Sequence, residues 1–490
     1  MEGTGRHLHL FGWLLAATLF SVCGAARSER LHHYTVSANP ELTQLEVKAC
    51  FDGAPPEQLV AQSLDATVAL EGVWNDTTGD EIAPIGTIPL KTVSGNECIR
   101  YRVDVSRPIK RHDRTGGKVE RVGSDVAISV GLWLWRPEQL ADDEDVELAF
   151  DLPSGVSVSA PWQPVPGSDR PVYRLGHTPS DWPAWIALGH FKQTTRAVAG
   201  TQLDIAILDG SPAVDEAQIC DWIVDAAAMV GSVYGHFPYP RVQVLVIPNA
   251  RAREPTPWAF VTRGGGPGIH FVINQRRPIE EFYRDWTATH ELSHLLLPFV
   301  KSDYAWISEG LATYYQNVLR ARSGRLTAQQ AWSELDAGFA RGRKEETDLT
   351  LAEATQRMYR SRLFMKVYWS GTAIMLMADL HLRQLSKGAQ SLDTALAAVG
   401  ACCLDSPREW DGAELFGKLD ALTGTTVFTS LLNEYADSAQ FPDLSATYHE
   451  LGLMPAVDGV SLVADAPFAG VREAIMHGDA PPMSHALLEK

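Results

Sequence analysis

Two histidines and a glutamate within residues 287–298 have a spacing that suits metal-assisted hydrolysis. His290, Glu291 and His294 form the pattern His-Glu-x-x-His. Residues four apart on a helix lie one turn above the other on the same face, so both imidazoles can reach one metal ion. The carboxylate of Glu291 then lies beside that ion, where it can take a proton from a bound water. A surface helix with two unrelated histidines is the alternative that this spacing alone leaves open.

A third ligand for the same metal follows shortly in the chain. Glu309 lies in the segment 306–315 and offers a carboxylate. Two histidines and one glutamate form a catalytic type of zinc site, because three protein ligands leave a fourth position open. Gly310 comes next, and a glycine inside a helix costs about 1 kcal/mol relative to alanine, which indicates close packing there. The residues therefore predict one Zn²⁺ per chain, held by His290, His294 and Glu309.

The residues around these ligands predict two helices joined by a short loop. The first helix has Pro278 at its first turn and ends before Pro298. The second is predicted from an N-cap at residue 302 or 303 to Ser323 and Gly324. This arrangement folds Glu309, early in the second helix, back onto the metal-binding face of the first.

These segments resemble the gluzincin zinc metallopeptidases, specifically the glycyl aminopeptidase and aminopeptidase N families. A further similarity is the segment 367–383, which matches the Tyr-x-x-Gly segment where those families carry an oxyanion-stabilising tyrosine. The resemblance implies a peptidase in which Glu291 is the general base and Tyr368 donates its phenolic proton to the oxyanion. Packing of Tyr368 beneath a helix is the alternative.

One feature of those families is missing. Their aminopeptidases have a glycine-rich edge strand followed by a glutamate that binds the free amino group of the substrate. The corresponding stretch is 261–274, where Gly264, Gly265 and Gly266 would let a substrate backbone approach, but no glutamate follows. Peptide hydrolysis is therefore the prediction, and a strict aminopeptidase with a displaced amine-binding acid is an alternative. A flexible loop without a substrate role is the alternative for the glycines.

Changes in pattern along the chain predict an α+β multidomain protein. Short alternating segments separated by turn residues indicate an N-terminal antiparallel β-sandwich, in which tryptophans 133, 135, 162, 182 and 185 pack in the core or at a domain interface rather than bind sugar. A thermolysin-like α+β zinc catalytic domain and a C-terminal α-helical domain follow. The predicted boundaries are 27–198, 199–325 and 326–450, with a C-terminal extension at 451–490 that contains a strand near 460–463.

The N-terminus and the cysteines predict export. Residues 1–26 have the features of a signal peptide, cleaved after Ala25 or Ala26 or kept as an anchor, which implies a periplasmic or extracellular protein. In an oxidising compartment, Cys50 is expected to pair with Cys98. Cys220 is expected to pair with Cys402 or Cys403, which leaves one free thiol.

The composition limits the partners. A formal net charge of −18 argues against nucleic acid and against anionic membrane surfaces. The expected partner is a peptide or protein substrate, and the oligomeric state stays open. A non-catalytic binding protein that keeps zinc as a structural cross-link is the alternative from another class.

Overall fold

The computed structural model describes residues 30–106, 119–210, 215–457 and 459–478. The expected signal peptide and the end of the C-terminal tail lie outside these residues. A β-rich N-terminal region, a mixed middle region and a C-terminal helical region follow one another along the chain, so the predicted fold class is confirmed. Across the described ranges, no helix combines the length and the apolar character that crossing a bilayer requires.

The N-terminal region is a sandwich of two sheets over one core. Alternate residues of its strands are buried, as in the strand Gln44–Cys50, where Leu45, Val47 and Ala49 point inward. The elements are β1 (Arg30–Ala38), β2 (Gln44–Cys50), β3 (Gln58–Leu59), α1 (Asp65–Ala69), β4 (Leu70–Asn75), β5 (Ile88–Pro89), β6 (Cys98–Asp104), β7 (Val119–Val122), β8 (Asp125–Ser129), α2 (Val130–Trp133), β9 (Glu144–Asp151), β10 (Ser157–Ser159), β11 (Gln163–Pro164), β12 (Val172–Arg174) and β13 (Trp185–Gly189).

The strand directions depart from a purely antiparallel sandwich at one pair. The larger sheet has the order β11-β12-β9-β1-β2-β6-β4, and the smaller has the order β10-β13-β8-β7. The pair β1 and β9 is parallel, because a long excursion of the chain separates the two strands. Trp133, Trp135 and Trp162 are almost completely buried, so they are core residues as expected.

A five-stranded sheet and four helices form the middle region. They are β14 (Gln193–Val198), β15 (Thr201–Ile207), α3 (Glu216–Gly231), β16 (Arg241–Pro248), β17 (Trp258–Thr262), β18 (Gly268–Ile273), α4 (Ile279–Arg284), α5 (Thr287–Ser293) and α6 (Ala305–Arg322). The sheet order is β14-β15-β16-β18-β17, so β17 is an edge strand. The division of the chain into domains stays a prediction, but the first strand of this sheet already comes from before residue 199.

The predicted helix from Pro278 to residue 297 is interrupted. It forms α4, then α5, and ends in a 3₁₀ turn at His294–Leu296. The chain is extended at Asp285, whose carboxylate accepts the N–H of Thr287 at 2.6 Å and so satisfies a free donor at the start of α5. The next helix starts one or two residues later than expected, with Tyr304 as its N-cap, because Ser302–Tyr304 form a 3₁₀ turn, and it ends at Arg322 with Ser323 as its C-cap, close to the expected end.

Eight helices and one hairpin make up the described C-terminal part of the chain. They are α7 (Ala328–Lys344), α8 (Leu351–Ser361), α9 (Phe364–Ser386), α10 (Leu392–Cys403), α11 (Gly412–Thr423), α12 (Val427–Tyr435), α13 (Ser445–Leu451), β19 (Leu453–Ala456), β20 (Gly459–Leu462) and α14 (Ala469–His477). Their apolar faces share one core with α3, α5 and α6, so the helical part packs directly behind the metal-binding helices. The strand expected near 460–463 is β20.

The disulfides confirm one expected pair and correct the other. Cys50 and Cys98 are bonded across β2 and β6, where they occupy opposite positions in the register. Cys402 is bonded to Cys403, its neighbour in sequence, so the expected pairing with Cys220 is wrong. Cys220 is a buried free thiol on α3, where its neighbours Ile219 and Ile223 pack into the core.

Candidate metal centre

His290, His294 and Glu309 converge on one point between α5 and α6. Oε2 of Glu309 lies 3.3 Å from Nε2 of His290 and 3.6 Å from Nε2 of His294. The three ligand atoms all lie within 4.8 Å of one another. Ligands about 2.0–2.1 Å from a tetrahedral zinc ion are separated by about 3.3 Å, so the donor set matches zinc in type and in spacing. Within the described residues, no other cluster of three such side chains has this geometry.

Both histidines are oriented by a side chain behind them. Nδ1 of His290 lies 2.9 Å from Oε1 of Gln316, and Nδ1 of His294 lies 2.8 Å from Oγ of Ser308. An acceptor at Nδ1 keeps the proton there and directs the lone pair of Nε2 toward the metal position. The sequence analysis missed Ser308 and Gln316. On α6, Ser308 directly precedes Glu309 and Gln316 lies two turns after it, and these positions are the signal that could have identified them.

The electrostatic environment of His290 favours a cation at this point. Burial by itself lowers the pKa of this imidazole, but the hydrogen bond to Glu309 and the negative charges of Glu291 and Glu309 outweigh burial and raise the pKa above its usual value. A divalent cation bound at this point would satisfy the same carboxylates.

Glu291 is a buried carboxylate next to the ligands. It directly follows His290 on α5 and is 9% exposed. Its negative charge is one of the causes that raise the pKa of His290. The general-base role of Glu291 stays a prediction.

Tyr368 enters the same site from α9. Its ring is stacked on the imidazole of His290, with centroids 6.0 Å apart and an interplanar angle of 13°. Its backbone carbonyl accepts the hydroxyl of Thr372 at 2.8 Å. Tyr368 is partly exposed rather than sealed beneath a helix, so its position is compatible with the predicted oxyanion role.

Two glycines bring Glu309 and Tyr368 together. A Cβ on Gly310 would lie 2.4 Å from the carbonyl carbon of Gly371, and a Cβ on Gly371 would lie 2.0 Å from the oxygen of Trp306. These distances are shorter than side-chain contacts allow, so α6 and α9 cross at backbone contact. The packing role predicted for Gly310 has this physical basis.

The glycines predicted to contact substrate are Gly264, Gly265 and Gly266. They form the turn from β17 to β18 and pack against the N-terminal sandwich. A Cβ on Gly265 would lie 2.0 Å from Cδ1 of Trp162, and one on Gly266 would lie 2.3 Å from the oxygen of Pro161. Close packing explains these glycines, and their substrate role stays a prediction. Edge strand β17 itself contacts α5.

Arg263, just before this turn, supports the end of the metal-binding helix. Its Nη2 donates to the carbonyl oxygens of His294 at 2.7 Å and Leu297 at 2.9 Å, and its Nη1 donates to the hydroxyl of Tyr239 at 2.6 Å. The final carbonyls of a helix lack partners within the helix, so this guanidinium satisfies groups that would otherwise be unpaired. No sequence signal pointed to Arg263.

Fold and site together define a zinc-metallopeptidase type of architecture: a β-sandwich, a mixed domain with a His₂Glu cluster, and helices behind it. Solved structures specify this architecture further as the gluzincin aminopeptidase-like fold. An aminopeptidase N family protein from Idiomarina loihiensis superposes with a TM-score of 0.64 at 12% identity, over 86% of this chain and 78% of that one.

A second solved relative has similar coverage. The M1 zinc metallopeptidase from Deinococcus radiodurans superposes with a TM-score of 0.55 at 16% identity, over 85% of this chain and 94% of that one. A mutant of that enzyme was solved bound to a Tyr-Ser-Ala substrate, and it superposes with a TM-score of 0.53 at 16% identity, over 85% of this chain and 95% of that one. No family model and no curated protein sequence matches the chain. The predicted resemblance is therefore confirmed at the level of the fold.

Proposed function

We propose that the protein is an exported zinc-dependent metallopeptidase that hydrolyses peptide bonds. The observation that carries this proposal is the convergence of His290, His294 and Glu309, with Glu291 and Tyr368 near His290. One donor from α5, one from the following 3₁₀ turn and one from α6 would hold the metal. Structural zinc sites are usually closed by four protein ligands, whereas this cluster has three and thus an open position for catalysis.

Each residue of the site has a separate task in this reaction. Zinc, when bound, would make a water molecule more acidic, with a pKa of about 7, and would polarise the scissile carbonyl. Glu291 takes the proton from the attacking water and passes it to the leaving amine. Tyr368 donates a hydrogen bond to the carbonyl oxygen as negative charge develops there, which is worth about 2.7–4 kcal/mol for a single oxyanion donor.

The decisive experiment compares wild-type protein with Glu291→Gln. We expect the variant to keep stoichiometric zinc, measured by mass spectrometry of the metal, and to lose cleavage of a mixed peptide library by a factor of at least about a hundred, as for removal of a general acid–base group. Full zinc occupancy without any cleavage by the wild type would favour the alternative, in which the metal only cross-links a binding protein.

A strict aminopeptidase, with an amine-binding acid displaced to another part of the chain, is the second candidate, because one structural neighbour is an aminopeptidase N family protein. Free and N-acetylated peptides separate the two functions, because equal cleavage of both would exclude an obligate aminopeptidase.

Export is supported by the sequence pattern at 1–26 and by the two disulfides, which form in oxidising compartments. Fractionation of cells that express the full chain, combined with N-terminal sequencing, tests it. A mature N-terminus near residue 26 or 27 in an extracytoplasmic fraction is the expected result.

A further inference from the structure

Trp286 lies one helical turn before His290 on the metal-binding face of α5. Residues 286, 290 and 294 are spaced by four, and the N–H of His290 donates to the carbonyl of Trp286 at 3.1 Å, so the helical turn extends to the tryptophan. The edge of the indole meets the imidazole of His290, with ring centroids 5.3 Å apart at an angle of 77°. The indole is therefore directed to the side of the helix where the metal ligands are.

The side chain of Trp286 is unusually exposed for this part of the chain. Every residue of α5, from Thr287 to Ser293, is buried, whereas Trp286 is 44% exposed. A large apolar surface that stays open beside a buried polar cluster is typical of the wall of a ligand-binding cleft. Trp286 therefore combines contact with a metal ligand and an apolar surface that solvent can reach.

Further aromatic rings continue from the same histidine. Tyr368 stacks on His290, Phe364 meets Tyr368 at 6.3 Å, and Tyr359 meets Phe364 at 5.3 Å between ring centroids. Tyr359 is 47% exposed. An aromatic row thus runs through the metal site, and the rings at both of its ends, Trp286 and Tyr359, are half open to solvent.

We infer that Trp286 is a specificity-determining residue that binds the side chain of a substrate residue next to the scissile bond. The subsite favours aromatic and large aliphatic side chains, because these bury apolar surface against the indole and gain favourable ring geometry. The inference rests on the proposed peptidase function and adds a substrate class to it. Basic side chains are the competing class, since an indole also attracts cations.

The test uses zinc-loaded protein and two series of peptides. Each series varies one of the two residues that flank the scissile bond among Phe, Leu, Ala and Arg, and kcat/KM is measured for every peptide. For one of the two positions we expect Phe and Leu to exceed Ala by at least about tenfold in the wild type. Trp286→Ala should lose most of this ratio while its Ala peptide stays within about threefold of wild type.

Two further variants and a metal measurement separate specificity from support of His290. Trp286→Phe should retain the preference for Phe and Leu. Trp74→Ala, which removes a partly exposed tryptophan of the N-terminal sheet, should leave every ratio unchanged. All variants should bind zinc like the wild type.

Four outcomes would overturn the inference. An equal loss on all peptides, or loss of zinc from Trp286→Ala, would show that the indole only supports His290. An Arg preference that disappears in Trp286→Ala would show that the subsite selects cations. If the zinc-loaded wild type cleaves no peptide, the proposed function itself is wrong, and this inference is wrong with it.

Discussion

Two buried histidines in the middle region have opposite environments. His290 on α5 and His270 on β18 are 3% and 0% exposed. The two carboxylates near His290 raise its pKa, whereas burial without a charged partner lowers the pKa of His270 to about 3. The imidazole of His270 lies flat on Phe260, with centroids 4.5 Å apart, and its Nε2 is hydrogen-bonded to Thr262 at 3.1 Å.

The difference teaches how a structural histidine is distinguished from a functional one. Burial alone costs a charged imidazole its hydration, so an isolated histidine stays neutral. Carboxylates near His290 offset that cost for a positive species, whether a proton or a metal ion. Among buried histidines, the presence of acidic neighbours therefore marks the candidate site more clearly than burial does.

The largest expected difference in zinc content and activity is between variants that replace His290 and His270. His290→Ala should remove a metal ligand, so zinc content should fall far below one per chain and peptide cleavage by at least about a thousandfold. His270→Phe should keep zinc and activity, because its ring is packed among apolar groups away from the cluster. Metal analysis and kcat/KM measure both. Loss of zinc from His270→Phe would contradict the structural role assigned to this residue.

A smaller effect is expected from the hydrogen-bond partners. Gln316→Leu should lower zinc affinity by about 10–100-fold, because Nδ1 of His290 loses the acceptor that orients the ring. Thr262→Val removes the corresponding partner of His270 and should cost about 1 kcal/mol of stability with no change in zinc affinity. Competition with a chelator measures affinity, and urea unfolding measures stability. Equal zinc affinity in wild type and Gln316→Leu would refute the orienting role.

The last expected effect is a change in acid sensitivity. Between pH 6.5 and about 3 the unfolded chain protonates His270 and the folded chain does not, so stability declines as pH falls through this window and is unaffected above it. At pH 5 this amounts to about 2 kcal/mol, from 1.5 pH units at 1.36 kcal/mol each.

His270→Phe should therefore reduce the stability difference between pH 7.5 and pH 5 by about that amount. Urea unfolding at the two pH values measures it in parallel with His449→Phe, which changes an exposed histidine on α13 and serves as the control. An undiminished acid sensitivity in His270→Phe would mean that another group dominates.

The elements that carry short-range patterns were predictable. The helices around the ligands follow from apolar periodicity and from prolines that end them, and the sandwich strands follow from alternation between turn residues. The interruption at Asp285 could not be predicted, because it involves one hydrogen bond between the Asp285 carboxylate and the N–H of Thr287. The parallel pairing of β1 and β9 could not be predicted either, because strand direction depends on where a distant segment returns to the sheet.

The two glycine clusters show where sequence reasoning fails. Gly310 and the glycines at 264–266 were both recognised as points of close approach, but their partners could not be inferred. Gly310 meets Gly371, and Gly265 meets Trp162. Each partner comes from a remote part of the chain, so only the packed structure separates a glycine that places site residues from one that seats a turn on another region.

The sequence by itself determined the chemistry of the metal site. The spacing of His290, Glu291 and His294 is a local helical property, and Glu309 lies close enough in the chain to return to them. Tertiary structure decided which groups orient the ligands, where Tyr368 lies, that Trp286 contacts His290, and that Cys220 stays unpaired. These contacts join residues that lie on different elements, or depend on which face of a helix stays open. Which of these contacts form follows from the packing of the whole chain.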